Sequence, residues 1–112
     1  MSGVNKFTEE LKEMGFDPEV NGSRVSIDYV IPCGRFNGEK LEMGFEVNGF
    51  PANAPHGPHF SKHLMPMKQQ GIHTSNFGQG WQHWSRPHND WNKTDRKVKT
   101  YFSFLRMLFN NI

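Results

Sequence analysis

The chain is short of several things at once. It has one cysteine, Cys33, in 112 residues, which excludes an internal disulfide and a Cys-rich zinc module. That scarcity makes a cytoplasmic setting the default expectation. No apolar run approaches the roughly 20 residues that a membrane-spanning helix needs, so no membrane association is expected. Residues 1–13 mix Lys, Glu and Asn, and no secretory signal is expected there. Hydrophobic residues amount to only 35%. Ring size compensates, because 10 Phe and 3 Trp can fill a small core, and whole-chain disorder is not expected. The length fits one domain, residues 1–112.

Net charge is low as well, at +2, but it is unevenly placed. Residues 1–46 carry 5 Lys/Arg against 9 Asp/Glu, and residues 47–112 carry 8 against 2. An acidic half followed by a basic half is consistent with an interaction surface. The small total argues against a nucleic-acid partner, for which a strongly basic domain is expected.

Val4, Phe7, Leu11 and Met14 fall at spacings of three and four, predicting an amphipathic helix over 4–14 with Gly15 as its stop. A β-meander follows over 24–62. Val25, Ile27, Tyr29 and Ile31 alternate with their neighbours, as do Leu41, Met43, Phe45 and Val47. Period two predicts an antiparallel hairpin of 24–32 with 40–47. Asn21-Gly22, Asn37-Gly38 and Asn48-Gly49 are read as type I′ turns. Residues 50–90 lose all periodicity apart from a short strand near His59–Lys62, and 63–92 form a His- and Trp-rich loop region. A connection of that length is usually functional or mobile. Val98, Tyr101, Phe102, Leu105, Leu108 and Phe109 then predict a helix within 93–110, capped by Asn92 or Thr94. The fold class is α+β: helix, antiparallel meander of three to four strands, long loop, helix.

This order, and the loop in particular, resembles the ubiquitin-conjugating enzyme fold. That family has a helix, a four-stranded meander and a segment Phe-Pro-x-x-Tyr-Pro-x-x-Pro-Pro; here Phe50, Pro51, Pro55 and Pro58 stand at their places. Ala54 replaces the Tyr and His59 the last Pro. The family then carries His-Pro-Asn, a Gly, the catalytic Cys about ten residues after the His, and a Trp. In this sequence His73-Thr74-Ser75-Asn76, Gly80 and Trp91 take those places, which leaves His83 where the cysteine would be. The chain most resembles divergent prokaryotic members of the superfamily, encoded beside ubiquitin-like proteins, activating enzymes and metalloprotease-type deconjugases. The resemblance implies a site at His83 and His73, with Asn76 one residue late for the family's oxyanion-stabilising Asn. It also implies partners from such a pathway.

The departures bear on mechanism. Acyl transfer of this kind needs a thiolate, and an imidazole makes no stable thioester. Cys33 lies just after the first clear strand, away from the family's nucleophile. Conventional thioester transfer is therefore not expected. A non-catalytic, partner-binding variant is the leading expectation.

All six histidines lie between 56 and 88. His56, His59, His73 and His83 are candidate ligands for zinc or another divalent transition metal, with Asp90 as a further ligand or supporting partner. The alternative function is accordingly a histidine-rich metal-binding protein, extending to a metal-dependent hydrolase, although no zinc signature is present. His83 also has the chemistry of a proton shuttle near neutral pH. Trp81, Trp84 and Trp91 surround His83, with Arg86 between them. They are read either as packing residues or, with Arg86, as an exposed patch that docks a partner protein.

Overall fold

Val4, Phe7 and Leu11 are buried on one face of helix α1, Ser2–Glu13, in the computed structural model, which describes residues 2–67 and 69–111. Gly15 ends the helix with φ 93°. The Gly15 amide donates to the Lys12 carbonyl and the Phe16 amide to the Leu11 carbonyl, each at 3.0 Å. These two bonds satisfy carbonyls that the helix leaves without partners. Met14 lies between the helix end at Glu13 and Gly15 and is 37% exposed.

The hairpin forms as the alternation predicts. Strand β2, Arg24–Val30, pairs antiparallel with β3, Lys40–Glu46, placing Val25 opposite Phe45, Ile27 opposite Met43 and Tyr29 opposite Leu41. A short strand β1, Glu19–Asn21, pairs with β2 on its free edge. The Asn-Gly turns differ from the type I′ expectation. Asn21 stays in β1 opposite Arg24, and Gly22 alone takes a positive φ, of 64°. Gly38 and Gly49 also have positive φ where their preceding asparagines do not. A turn with its left-handed residue at the first central position asks this conformation only of glycine, which has no Cβ to strain.

The meander does not end in a loop at residue 63. Strand β4, His56–Phe60, pairs with β3 across a register shift between Gly44 and Glu46. Two three-residue strands, β5 (Ile72–Thr74) and β6 (Gln82–Trp84), then extend the sheet to six antiparallel strands in the order β1-β2-β3-β4-β6-β5. The region 63–92 thus contributes a hairpin of its own.

Helix α2, Val98–Asn110, buries Val98, Tyr101, Phe102, Leu105 and Phe109 against the same sheet face as α1. Its cap differs from expectation, because neither Asn92 nor Thr94 caps it. The Val98 amide donates instead to Oε1 of Glu10 in α1, at 2.8 Å. Thr94 serves the preceding 3-10 turn, Trp91–Lys93: its hydroxyl donates to the Trp91 carbonyl at 2.7 Å and accepts the Arg96 amide at 3.0 Å. Arg96 adopts φ 57°, which turns the chain into α2. No helix among the described residues is long and apolar enough to cross a membrane.

Gln82 holds β6 in place from within the core, where it is fully buried. Its Oε1 accepts the amides of Leu64 and Met65, each at 3.1 Å, and the Trp84 indole N–H at 2.8 Å. Its Nε2 donates to the Met65 carbonyl at 2.7 Å. One side chain therefore satisfies the backbone of the segment that crosses it. Tyr101 is the opposite case: its buried hydroxyl has no partner among the described residues. Leaving buried donors unmade costs about 1–3 kcal/mol each. Gln82→Leu should lower unfolding stability by about 2–4 kcal/mol in urea titration, through the orphaned amides. Tyr101→Phe should leave it unchanged or raise it.

Candidate functional site

Because Gln82 and Trp84 face the core, the intervening His83 must face the other side of the sheet. Register places it opposite His59 of β4 on one side and His73 of β5 on the other. Residues directly opposite on one face are in contact range. The His59 and His83 rings stack with centroids 4.2 Å apart and planes 9° apart, and His73 lies 5.8 Å from His83 at 47°.

The row continues past His59 because β3 offers no side chain there. Gly44 is the residue opposite His59. A Cβ at Gly44 would fall 2.5 Å from the Phe77 ring, so the glycine makes room for that ring. Phe77 stacks on His59 at 4.2 Å, Trp81 on Phe77 at 5.4 Å, and the Arg24 guanidinium lies 5.1 Å from the Phe77 centroid. Five rings, His73, His83, His59, Phe77 and Trp81, thus run in order across the outer face.

His59 is 5% exposed, and its Nδ1 is 2.8 Å from the Ser75 hydroxyl, which also accepts the Phe77 amide at 3.1 Å. Burial, with the nearby charges of His83 and Arg24, lowers its pKa to about 3. It is therefore neutral at physiological pH. The His83 pKa is lowered too, first by burial and then by His73 and His56. Ser75 stands in register with the Asn of the resembled His-Pro-Asn motif. Here it orders His59 and the Phe77 loop.

An open groove of about 620 Å³ lies beside the row, between the Pro-rich segment 52–57 and segment 85–92. His83 belongs to its lining, with His56, Arg86 and His88. The apolar lining includes Pro55, Pro87 and Trp91, and Ser85 with three amides, Asn53, Asn89 and Asn92, completes the polar part. His56 and His83, both expected in the site, meet here. His73 stands on the far side of His83, towards the sheet edge. Asn76 lies outside the groove lining, in the β5–β6 turn, where its carbonyl accepts Arg24 Nη1 at 2.9 Å. His88, which the metal set had left out, lines the groove while stacked on Phe104 at 4.4 Å.

The four histidines expected to share a metal are not arranged to do so. The His59 and His83 planes are nearly parallel, so their in-plane lone pairs do not meet at one point, and His59 Nδ1 is engaged by Ser75. Among the described residues no three His, Cys, Asp or Glu side chains are grouped to hold a metal ion.

The expected tryptophan patch is corrected as well. Trp84 and Trp91 are 2% and 4% exposed. Their indole N–H groups donate inward, to Gln82 Oε1 at 2.8 Å and to the Pro51 carbonyl at 2.7 Å. Of the proposed docking residues, only Trp81 and Arg86 reach the surface. Arg86 donates to the Ser85 carbonyl at 3.1 Å; the arginines over ring faces among the described residues are Arg24 and Arg35. Cys33 is half-buried against the core, and its thiol donates to the Arg106 carbonyl at 3.4 Å. Compared with known proteins, the chain matches no family model, no curated protein and no solved structure.

Two predictions test the ring row. Unfolded His59 takes up a proton near pH 6.5, but in the folded chain it does so only near pH 3. Between those values the unfolded chain holds the extra proton, so stability falls as pH falls, by up to about 1.4 kcal/mol per pH unit. His59→Gln should flatten this slope in urea titrations between about pH 7 and pH 4; an unchanged slope would assign it to other groups. Gly44→Ala should expel the Phe77 ring, seen by NMR as loss of its ring-current shift on His59.

Proposed function

We propose that this chain is a cysteine-less relative of the ubiquitin-conjugating enzymes that serves a bacterial ubiquitin-like conjugation pathway by binding rather than by acyl transfer. One observation carries the reading. His83, at the position the family spacing reserves for the catalytic cysteine, lines the groove between the Pro-rich segment and the segment leading to Trp91. The element order also supports it: helix first, antiparallel meander, irregular segment, helix last. The added β5–β6 hairpin and the single helix after the site are this chain's own variations on that plan.

The chemistry favours holding over transferring. An imidazole at position 83 forms no lasting thioester, and Cys33, bonded to the Arg106 carbonyl of α2, is not part of the groove lining. The serine in register with the family's Asn is buried and bonded to His59, so it is not free to stabilise an oxyanion. What remains is a groove with polar amides, imidazoles and apolar walls, suited to an extended chain segment. In this reading the groove receives the tail of a ubiquitin-like protein. An activating enzyme or a deconjugase of the same pathway is then the catalytic partner.

The test is direct titration of purified bacterial ubiquitin-like proteins into the isotope-labelled chain, followed by NMR. Shifts should cluster on His56, His83, His88 and Trp91. Ala52→Trp fills the groove from an exposed wall position and should weaken binding by about tenfold or more. Val20→Ser, on the exposed edge strand, should not weaken it. Absence of binding by every ubiquitin-like protein tried, or binding indifferent to Ala52→Trp, overturns the reading.

A further inference from the structure

The lining of the groove has a charge character that a general docking surface does not require. Among the described residues Arg86 is the only formally charged one in the lining, and three imidazoles, His56, His83 and His88, accompany it without a single carboxylate. The one acidic residue of the neighbouring segment, Asp90, faces Lys93, with Oδ1 3.8 Å from Nζ, and is not part of the lining. Among the described residues no carboxylate lies within ion-pair distance of the Arg86 guanidinium. The guanidinium is held in place by the bond from Nη1 to the Ser85 carbonyl and by Gly71, whose missing side chain leaves the space that Nη1 fills. Arg86 is thus a groove-lining residue whose charge has no carboxylate partner among the described residues, and such a guanidinium is half of an ion pair.

From this we infer that the groove recognises the free C-terminal carboxylate of an extended peptide, with Arg86 as its charge partner. The inference rests on the reading of the groove as a tail-binding site and names the chemical group that site takes. A carboxylate is planar and matches the two-pronged face of a guanidinium, and capture of a chain terminus is an established mode of peptide recognition. The other lining groups fit the rest of such a ligand. Asn53, Asn89 and Asn92 can bond the backbone of an extended chain, whose own N–H and C=O groups need partners when covered. Pro55, Pro87 and Trp91 give it apolar walls. The absence of a cysteine belongs to the same picture. A site that never forms a thioester meets the tail as the free acid, and the free acid carries the charge that Arg86 complements.

The experiment compares a hexapeptide of Gly and Ala with a free carboxylate, the same peptide as its C-terminal amide, and inorganic phosphate, each titrated by NMR into the whole chain. The acid should bind at least about tenfold more tightly than the amide and more tightly than phosphate. Arg86→Gln should abolish the preference for the acid. Arg106→Gln, on the exposed side of α2, should keep it. The spectrum of each variant reports its fold, and Arg86→Lys, which keeps the charge but loses the fork, should show a reduced preference if Arg86→Gln is disordered. Equal binding of acid and amide, a preference that survives Arg86→Gln, or tighter binding of phosphate overturns the inference. The two readings fail separately. A ubiquitin-like protein that binds equally well after amidation of its C-terminus sinks the carboxylate inference and leaves the family reading. Acid-selective peptide binding with no ubiquitin-like partner does the reverse.

Discussion

Phe45 sits on the buried face of the sheet with Phe7 of α1 5.4 Å away, and with Tyr101 and Phe102 of α2 at 5.8 and 6.0 Å. Both helices are attached to the sheet through this one layer of rings. Each buried aromatic contributes about 2–3 kcal/mol, and edge-on ring pairs add roughly 0.5–1.5 kcal/mol. Such attraction has little directional content, so something else must set how the helices lie. The bond from the Val98 amide to Glu10 supplies that direction by tying the start of α2 to the last turn of α1. The aromatic layer also explains how a chain with only 35% hydrophobic residues holds a core: it relies on a few large side chains rather than on many small ones.

Covering one sheet face decides where chemistry can lie. With α1 and α2 on the inner side, polar and titratable residues are left to the outer side and the sheet edge. The pleat then sorts β6 residue by residue, so that two core side chains flank one groove side chain. The row from His73 to Trp81 is the outer counterpart of the aromatic core, built of rings that tolerate partial burial. His59 is the member most removed from water, and its bond to Ser75 ties the row to the β5–β6 turn.

Long periodic elements were legible and short ones were not. The helix over 4–14 and the hairpin of 24–32 with 40–47 each offer enough turns or alternations for one face to declare itself. Strands of three residues, such as Ile72–Thr74 and Gln82–Trp84, have too few positions to show any period. The capping of α2 was hidden for a different reason: its acceptor, Glu10, lies in another element near the start of the chain. Trp84 and Trp91 have the composition of a docking patch and of a core alike, and only their inward hydrogen bonds separate the two. For the histidines, nearness along the chain pointed to a shared ligand, whereas strand register set His59, His83 and His73 side by side as stacked rings. Gly44 was a readable signal, since a glycine inside an alternating strand marks a place where something approaches closely. What approaches it, Phe77, lies on a loop whose path the sequence does not reveal.

His83 sits between Gln82, which holds the backbone of 64 and 65, and Trp84, which is anchored to Gln82 in turn. Neighbours on both sides along the strand are locked into the core, and His59 is stacked against its ring. The floor of the groove is therefore preorganised, and a ligand that settles on it has little ordering entropy to overcome at that point. Adaptation to ligands of different shape has to come from the walls, the Pro-rich segment and residues 85–90, which are tied down by single contacts such as the Ser85 amide on the Gly71 carbonyl and His88 on Phe104 rather than by a buried network like that of Gln82. Selectivity in such a site can change by substitutions in the walls while the floor, and with it the fold, stays as it is.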